Sequence, residues 1–183
     1  RAYDPDIELD EAVENLRKGS AEAFQILYHK YHNRVYRFCL RMLGSEEAAK
    51  DAFQETFVKV YENRESFKGE NFGGWLFTIA RNTCYNTLRT TKTHSEFDEL
   101  YYKSGSTNNV DFGLRKALEE AINSLPLTLK EAFILREYED MSYTEIAEIL
   151  EIDLSLAKIR VFRARKQLRL ILTPIIKELD EYR

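Results

Sequence analysis

Apolar side chains recur at steps of three and four residues along most of this 183-residue chain, and this spacing limits its fold more than any other feature. One long stretch carries seven such positions, namely Phe24, Leu27, Tyr28, Tyr31, Val35, Phe38 and Met42. An α-helix has about 3.6 residues per turn, so this spacing places the apolar side chains on a single helix face. The chain contains only three prolines, which suits packed helices. The sequence therefore predicts an all-α protein.

A polar break divides the chain into two periodic halves. Residues 104–109 read SGSTNN, a composition typical of a flexible tether. We therefore predict two small helical domains: residues 1–95 form the first, 96–111 the linker and 112–183 the second. The two halves show no internal repeat.

Capping residues predict where the helices of the first half begin and end. Gly19 is expected to close a helix over residues 7–18 in a left-handed conformation, and Ser20 to cap the next one. Gly44 should end that second helix, and Ser45 should begin the third. A glycine-containing loop over residues 66–74 is then expected to bend freely before a fourth helix over 75–90.

The sequence of the second half predicts a helix-turn-helix. A first helix has core positions at Leu114, Ala117, Leu118, Ala121 and Ile122 and stops at Pro126. Capping boxes are expected at Thr128 with Glu131 and at Ser142 with Glu145. A short helix over 142–150, a turn over 151–153 and a longer helix over 155–172 then match the arrangement of a DNA-reading motif.

Basic residues crowd that last helix although the net charge of the chain is −4. Its buried stripe is predicted at Ala157, Val161, Ala164, Leu168 and Ile171. The residues that then point outward near the helix start, where a recognition helix meets base edges, are Lys158, Ile159, Phe162 and Arg163. Flanking Arg160, Arg165 and Lys166 suit contacts with the DNA backbone. The alternative is a solvated basic face on a structural helix.

Two further surfaces leave alternatives open. The outer row of the fourth helix comprises Thr78, Arg81, Asn82, Tyr85, Asn86 and Arg89, and it suits single-stranded DNA if Phe67 and Phe72 offer stacking platforms. The alternative, which the pattern alone favours, is a polar surface with both aromatic residues tucked into the core. On the third helix, Asp51, Gln54, Glu55, Val58 and Glu62 form either a docking face for a basic partner helix or, as the pattern alone favours, a solvated face.

Several classes of protein are not supported by the sequence. No phosphate loop, nucleophile elbow or catalytic pair of acids is visible, so no enzyme and no cofactor are expected. His29 and His32 have a spacing that metals accept, but nothing nearby completes a site. Cys39 and Cys84 are expected to be buried thiols. Without a long apolar run or a signal peptide, we expect a soluble cytoplasmic protein with no membrane insertion; its first residue, Arg1, suggests that the natural start lies upstream.

Several motifs together resemble one known family. Residues 51–57 (DAFQETF), 67–69 (FKG) and 71–82 (NFGGWLFTIARN) resemble region two of the extracytoplasmic-function sigma factors of bacterial RNA polymerase. Residues 125–126 (LP), 136–138 (REY), 141–150 (MSYTEIAEIL) and 162–165 (FRAR) resemble their region four. The resemblance covers nearly the whole chain in the right order. It implies a promoter-specificity subunit whose partners are core RNA polymerase, promoter DNA and an anti-sigma factor, with no small-molecule substrate.

The resemblance also implies roles for individual residues. Those expected to dock on the clamp helices of the largest polymerase subunit are Asp51, Gln54, Glu55 and Val58. Those expected at the −10 element are Phe67, Asn71, Phe72, Arg81, Asn82, Asn86 and Arg89. Those expected at the −35 element are Lys158, Ile159, Phe162 and Arg163, supported by Arg136, Tyr143, Thr144, Arg160 and Arg165.

The chain departs from the family at the start of the recognition helix. Residues 155–160 read SLAKIR where relatives have Gly-Thr-Val-Lys-Ser-Arg. Ile159 cannot form a hydrogen bond with a base but could contact a thymine methyl group. Leu156 takes the place of a phosphate-binding hydroxyl. A free-standing operator-binding regulator and a helical adaptor without a DNA role are the alternatives to a sigma factor.

Overall fold

The structure, a computed structural model, describes residues 5–94 and 110–181. The regular elements in these two ranges are α-helices and one 3₁₀ turn, and the ranges contain no strand. The elements are α1 Pro5–Arg17, α2 Ala21–Leu43, α3 Glu46–Glu62, a 3₁₀ turn Arg64–Ser66, α4 Phe72–His94, α5 Val110–Ser124, α6 Leu127–Glu137, α7 Tyr143–Leu150 and α8 Leu154–Glu181. The predicted all-α fold is confirmed.

The chain divides into two compact units, the first spanning Arg1–Thr87 and the second Leu88–Arg183. The predicted linker, residues 96–111, lies outside the described residues except for its last two, which begin α5. The predicted tether at 104–109 is likewise outside them. The domain boundaries given above therefore stay a prediction.

Caps set the helix ends of the first unit as the sequence predicts. The Ser20 hydroxyl accepts a hydrogen bond from the Ala23 amide, and Gly44 ends α2 with a φ of 68°. Gly19 also lies in the left-handed region, with a φ of 87°. The Ser45 hydroxyl caps α3 by accepting from the Ala48 amide. These predicted caps are confirmed.

The core of the first unit lies among α1, α2, α3 and α4. The rings of Phe38 and Phe77 meet edge to face with their centroids 5.4 Å apart, and both side chains are fully buried. Cys39 and Cys84 are free buried thiols, as predicted. A hydrogen bond with Cys39, together with burial, raises the pKa of the Cys84 thiol. This packing fixes α4 against α2.

The start of α4 differs from the sequence prediction. The helix begins at Phe72, three residues before the expected Trp75, because the Asn71 side-chain oxygen accepts a hydrogen bond from the Gly74 amide at 2.9 Å. A Cβ atom on Gly74 would lie 2.9 Å from the Asn71 amide nitrogen. The expectation of a freely bending loop up to Gly74 is therefore wrong, because Gly74 makes room for the cap.

In the second unit, α5, α6 and α7 pack on α8. Its core includes Ala121, Ile122, Leu125, Phe133, Ala164 and Leu168. Ala157 and Val161 are also fully buried, so the predicted α8 stripe is confirmed at these positions. Leu114, predicted as core, is exposed instead, because it lies in the first turns of α5, ahead of the buried pair Ala121 and Ile122.

Two further expectations for the second unit are wrong. No side chain caps α6, whose N-cap position is Pro126. Thr128 lies within the helix, and the fully buried Glu131 carboxylate lies 3.5 Å from the Arg160 guanidinium. Helix α8 continues past residue 172 through Pro174 to Glu181. The helix continues although Pro174 lacks a backbone donor and its ring crowds the carbonyl of residue i−4; just before it, the Thr173 hydroxyl donates to the Arg169 carbonyl.

Candidate nucleic-acid interface

Helices α7 and α8 form the predicted helix-turn-helix. A capping box begins α7: the Ser142 hydroxyl accepts from the Glu145 amide, and the Glu145 carboxylate accepts from the Ser142 amide at 2.8 Å. Glu151 ends the helix in a left-handed conformation with a φ of 53°. Leu154 then begins α8. The turn is therefore short enough to hold α8 against α7.

The buried stripe of α8 turns four predicted residues outward together. We call the exposed side chains of Lys158, Ile159, Phe162 and Arg163 the reading face. Phe162 keeps 66% of its surface exposed although it is a large aromatic residue. All four lie within the first ten residues of α8, the part of a recognition helix that contacts base edges.

Three cations predicted to contact DNA also have partners within the unit. The Arg160 guanidinium lies 3.5 Å from the buried Glu131 carboxylate. Arg165 donates from Nε to Glu137 at 2.8 Å, and this hydrogen bond raises its pKa. Arg136 donates to the Met141 carbonyl at 2.8 Å. These arginines therefore brace α6, the turn before α7, and α8.

Tyr143 and Thr144 lie in the first turn of α7. The Arg136 guanidinium lies 4.7 Å from the centroid of the Tyr143 ring, and Thr144 is exposed. The amides of a helix N-terminus attract phosphate, so both residues lie where a DNA backbone contact is chemically suitable.

Sequence reasoning missed the role of Glu131 and Glu137 as acceptors for these arginines. Arg160 lies three residues after Ala157 and four before Ala164, at the edge of the buried stripe of α8. That position places a guanidinium close to the core, where burial requires a counter-charge. The helical projection of α8 therefore contained a signal for a buried acid on a neighbouring helix.

The polar row of α4, comprising Arg81, Asn82, Asn86 and Arg89, lies on one helix face as its spacing predicts. Asn82, Asn86 and Arg89 are exposed. Arg81 stacks on Tyr85, 4.0 Å from the ring centroid, and donates to the Asn82 side-chain oxygen at 3.3 Å. The row thus offers amides and guanidiniums at one surface.

Phe67 and Phe72 are buried rather than open. They are 6% and 5% exposed, their rings meet edge to face at 5.8 Å, and both contact Trp75. The alternative in which both aromatic residues are tucked into the core describes their position. Asn71, between them in sequence, is exposed and caps α4. Sequence reasoning missed Trp75, which completes this aromatic cluster.

The face of α3 formed by Asp51, Gln54, Glu55 and Val58 is exposed. Val58 keeps 54% of its surface accessible amid polar neighbours. The Glu55 carboxylate forms an ion pair with Lys59 at 2.6 Å. Lys59 also donates to the Thr83 hydroxyl of α4 at 3.5 Å, so this face is tied to the helix that carries the polar row.

In residues 5–94 and 110–181, no group of three His, Cys, Asp or Glu side chains is arranged to hold a metal ion. His32 Nδ1 instead lies 2.9 Å from the His29 carbonyl oxygen. None of the helices within these ranges is both long and apolar enough to cross a membrane.

Comparison with known proteins matches both units. The family description "Sigma-70 region 2" matches residues 27–93, and "Sigma-70, region 4" matches residues 115–168. The chain is 31% identical to the ECF RNA polymerase sigma-E factor of Haemophilus influenzae, over 90% of this chain and 95% of that protein. It is 32% identical to the sigma-E factor of Escherichia coli K12, over 90% and 94% respectively.

Solved structures agree with these matches. The sigma factor RpoE of Bartonella quintana, crystallised with the anti-sigma factor NepR, is 27% identical with a TM-score of 0.72, over 84% of this chain and 98% of that one. CnrH, solved with the cytosolic domain of CnrY, shares the fold with a TM-score of 0.71 over 89% and 96% at 21% identity. With both regions matched in order and relatives aligned along most of its length, this chain belongs to the extracytoplasmic-function group of the sigma-70 family of RNA polymerase sigma factors.

Proposed function

We propose a division of labour within this promoter-specificity subunit: α8 reads the −35 element, the polar row of α4 grips the −10 strand, and the exposed face of α3 docks on core RNA polymerase. The observation that carries the proposal is the reading face of α8, which is exposed at the start of the second helix of a helix-turn-helix. Phe162 forms a row of exposed apolar side chains there with Leu156 and Ile159, and such a row indicates a binding surface. The chain has no catalytic role in this scheme and acts in the cytoplasm with the polymerase.

At the −35 element, Lys158 and Arg163 donate hydrogen bonds to purine acceptors or phosphates. Tyr143 and Thr144 support the DNA backbone from the first turn of α7. Arg136, Arg160 and Arg165 act mainly by fixing the position of α8 through their internal partners and add positive charge near the phosphates. Their carboxylate and carbonyl partners support this assignment.

At the −10 element, Asn82 and Asn86 offer amides to base edges, and Arg81 and Arg89 offer cations to phosphates. A flipped base would enter beside Asn71. Phe67 and Phe72 would form the wall behind it, because their rings are packed against each other and Trp75. Flipping costs a few kcal/mol and stacking returns about 1–3 kcal/mol per base, so melting needs the help of the polymerase.

Docking on the polymerase is assigned to Asp51, Gln54, Glu55 and Val58. The combination of carboxylates with one exposed valine suits a basic helix that carries an apolar contact. By its resemblance to the family, the partner surface is the pair of clamp helices in the largest subunit. An anti-sigma factor is proposed as a further partner, because the Bartonella relative was crystallised with one.

An abortive-initiation assay tests the function. Purified core polymerase is mixed with this chain and a pool of promoter fragments, and short transcripts are measured. We expect transcripts that depend on both the chain and the core enzyme. Absence of transcripts from every fragment, with core enzyme that is active with another sigma factor, would contradict the proposal.

Two variants test the division of labour. Arg163→Ala should weaken promoter binding by about 1–3 kcal/mol and leave binding to core RNA polymerase unchanged, because Arg163 is exposed on α8 whereas the proposed polymerase-docking face lies on α3. Gln54→Ala should weaken assembly with core RNA polymerase in a titration, while promoter affinity measured at a saturating concentration of core polymerase stays unchanged. Each variant serves as the control for the other. Equal losses of core binding and promoter binding in either variant would contradict the assignment.

A further inference from the structure

An apolar ridge runs along the reading end of α8. Leu156, Ile159 and Phe162 are 36%, 42% and 66% exposed and follow one another at steps of three residues. Side chains three apart on a helix are neighbours on its surface. A single exposed apolar side chain is ordinary in a soluble protein, but a contiguous row of large ones indicates a binding surface.

The arginine next to this ridge in sequence, Arg160, directs its guanidinium towards the interior of the unit. Arg160 follows Ile159 directly, yet its guanidinium faces the fully buried Glu131 on α6. Further along, Arg165 is held by Glu137 at the edge of the helix. The middle of this exposed surface is therefore apolar, and the charged side chains of Lys158 and Arg163 lie beside it.

We infer that Ile159 and Phe162, with Leu156 at the margin, read thymine through its C5-methyl group in the −35 element. The inference rests on the proposed function, which places this end of α8 in the major groove. Thymine is the base that presents a methyl group there, beside its O4 acceptor, whereas the other bases present only donors or acceptors. An isoleucine or phenylalanine side chain would leave those polar groups without a partner, which penalises the wrong base.

The dimensions of the ridge suit a short thymine tract. Six residues of helix separate Leu156 from Phe162, which corresponds to about 9 Å at about 1.5 Å per residue. Successive base pairs are about 3.4 Å apart, so the ridge spans at most about three base pairs. We therefore expect two or three adjacent A·T pairs whose thymine methyl groups face the ridge.

The test replaces thymine by deoxyuridine, which removes only the methyl group. Holoenzyme, assembled from this chain and core RNA polymerase, first selects duplexes from a library with randomised −35 and −10 segments. The best duplex is then resynthesised with deoxyuridine at one thymine of the −35 segment at a time, and its dissociation constant is measured. We expect about a fourfold loss for each methyl group that the ridge buries.

Two substitutions connect the effect to the ridge. Ile159→Ser should bring the ratio of deoxyuridine to thymine dissociation constants to about one at the positions that Ile159 contacts. Leu170→Ser is the matched control: Leu170 is also an exposed α8 residue but lies about 16 Å further along the helix, so its ratio should equal that of the unchanged chain. Thermal unfolding of both variants verifies that the exposed positions tolerate serine.

Each outcome separates the inference from the function on which it rests. Equal binding of thymine and deoxyuridine duplexes by the unchanged holoenzyme would overturn the inference and leave the proposed function intact. The inference is also overturned if Ile159→Ser weakens binding of the thymine and deoxyuridine duplexes equally and leaves the ratio of their dissociation constants unchanged. The ridge would then contact something other than the methyl groups. If holoenzyme selects no duplex at all, the proposed function itself fails.

Discussion

Replacing Arg160 by methionine tests whether the ion pair between α6 and α8 holds the reading face in place. Glu131 is fully buried on α6, and its carboxylate oxygen lies 3.5 Å from the Arg160 guanidinium. Methionine keeps much of the apolar stem of arginine but removes the charge. The buried carboxylate then loses the Arg160 cation, which offsets part of the cost of its desolvation.

The expected loss of stability follows from this burial. Removal of one partner of a buried ion pair costs about 3–5 kcal/mol. The Arg160 side chain is 20% exposed, so water partly screens the pair and the lower end, about 3 kcal/mol, applies. Replacing both partners, Glu131→Leu with Arg160→Met, also removes the buried carboxylate. The double variant should therefore recover most of the unfolding free energy.

Urea unfolding with two signals measures this loss and contains its own control. Trp75, the single tryptophan, belongs to the first unit, so its fluorescence follows that unit, whereas far-ultraviolet circular dichroism follows both. A loss of about 3 kcal/mol with a slope of about 1–3 kcal/mol/M moves the dichroism transition of the second unit by about 1–3 M urea. The fluorescence transition should not move.

Arg163→Met is the matched control, because Arg163 lies on the same helix but points outward. A surface substitution of this kind changes stability by about 0.5 kcal/mol or less. The reasoning is refuted if Arg160→Met is as mild as Arg163→Met, or if the double variant is no more stable than the single one.

Two further predictions concern the second unit. Ser142→Ala should lower the unfolding free energy of this unit by about 0.5–2 kcal/mol, because the capping box of α7 is lost. Thr128→Ala should cost less, because Thr128 does not cap α6. A larger loss for Thr128→Ala than for Ser142→Ala in the same dichroism titration would contradict this prediction. Burial in the folded chain lowers the pKa of Lys130 below its ordinary value of 10.5. Between this lowered pKa and about 10.5, the unfolded chain therefore binds more protons than the folded chain. The unfolding free energy should rise with pH over that range. Lys130→Met should flatten that rise in urea titrations at a series of pH values, and an identical slope in variant and unchanged chain would contradict it.

Local signals predicted much of the fold because each depends only on neighbours in the chain. The caps at Ser20, Gly44, Ser45 and Ser142 each satisfy backbone groups within a few residues, and all four lie where the sequence places them. The apolar stripe of α8 is likewise a local pattern, and it turned the reading face outward as expected.

The features that sequence reasoning missed depend on distant partners. Thr128 and Glu131 have the spacing of a capping box, but Glu131 pairs with Arg160, 29 residues away. The pattern alone favoured burial of Phe67 and Phe72, whereas the resemblance to the family implied a role at the −10 element. Their burial involves Trp75 and Tyr31 of α2, and the pattern of single residues does not identify these contacts.

The central claim is that two helical units bind promoter DNA together only when the polymerase holds them. The most direct test measures the affinity of a labelled promoter duplex for this chain alone and for the chain with core RNA polymerase. We predict weak binding by the chain alone and tight, sequence-dependent binding with the core enzyme. Tight binding by the chain alone that the core enzyme does not change would contradict the account and indicate a free-standing operator-binding regulator.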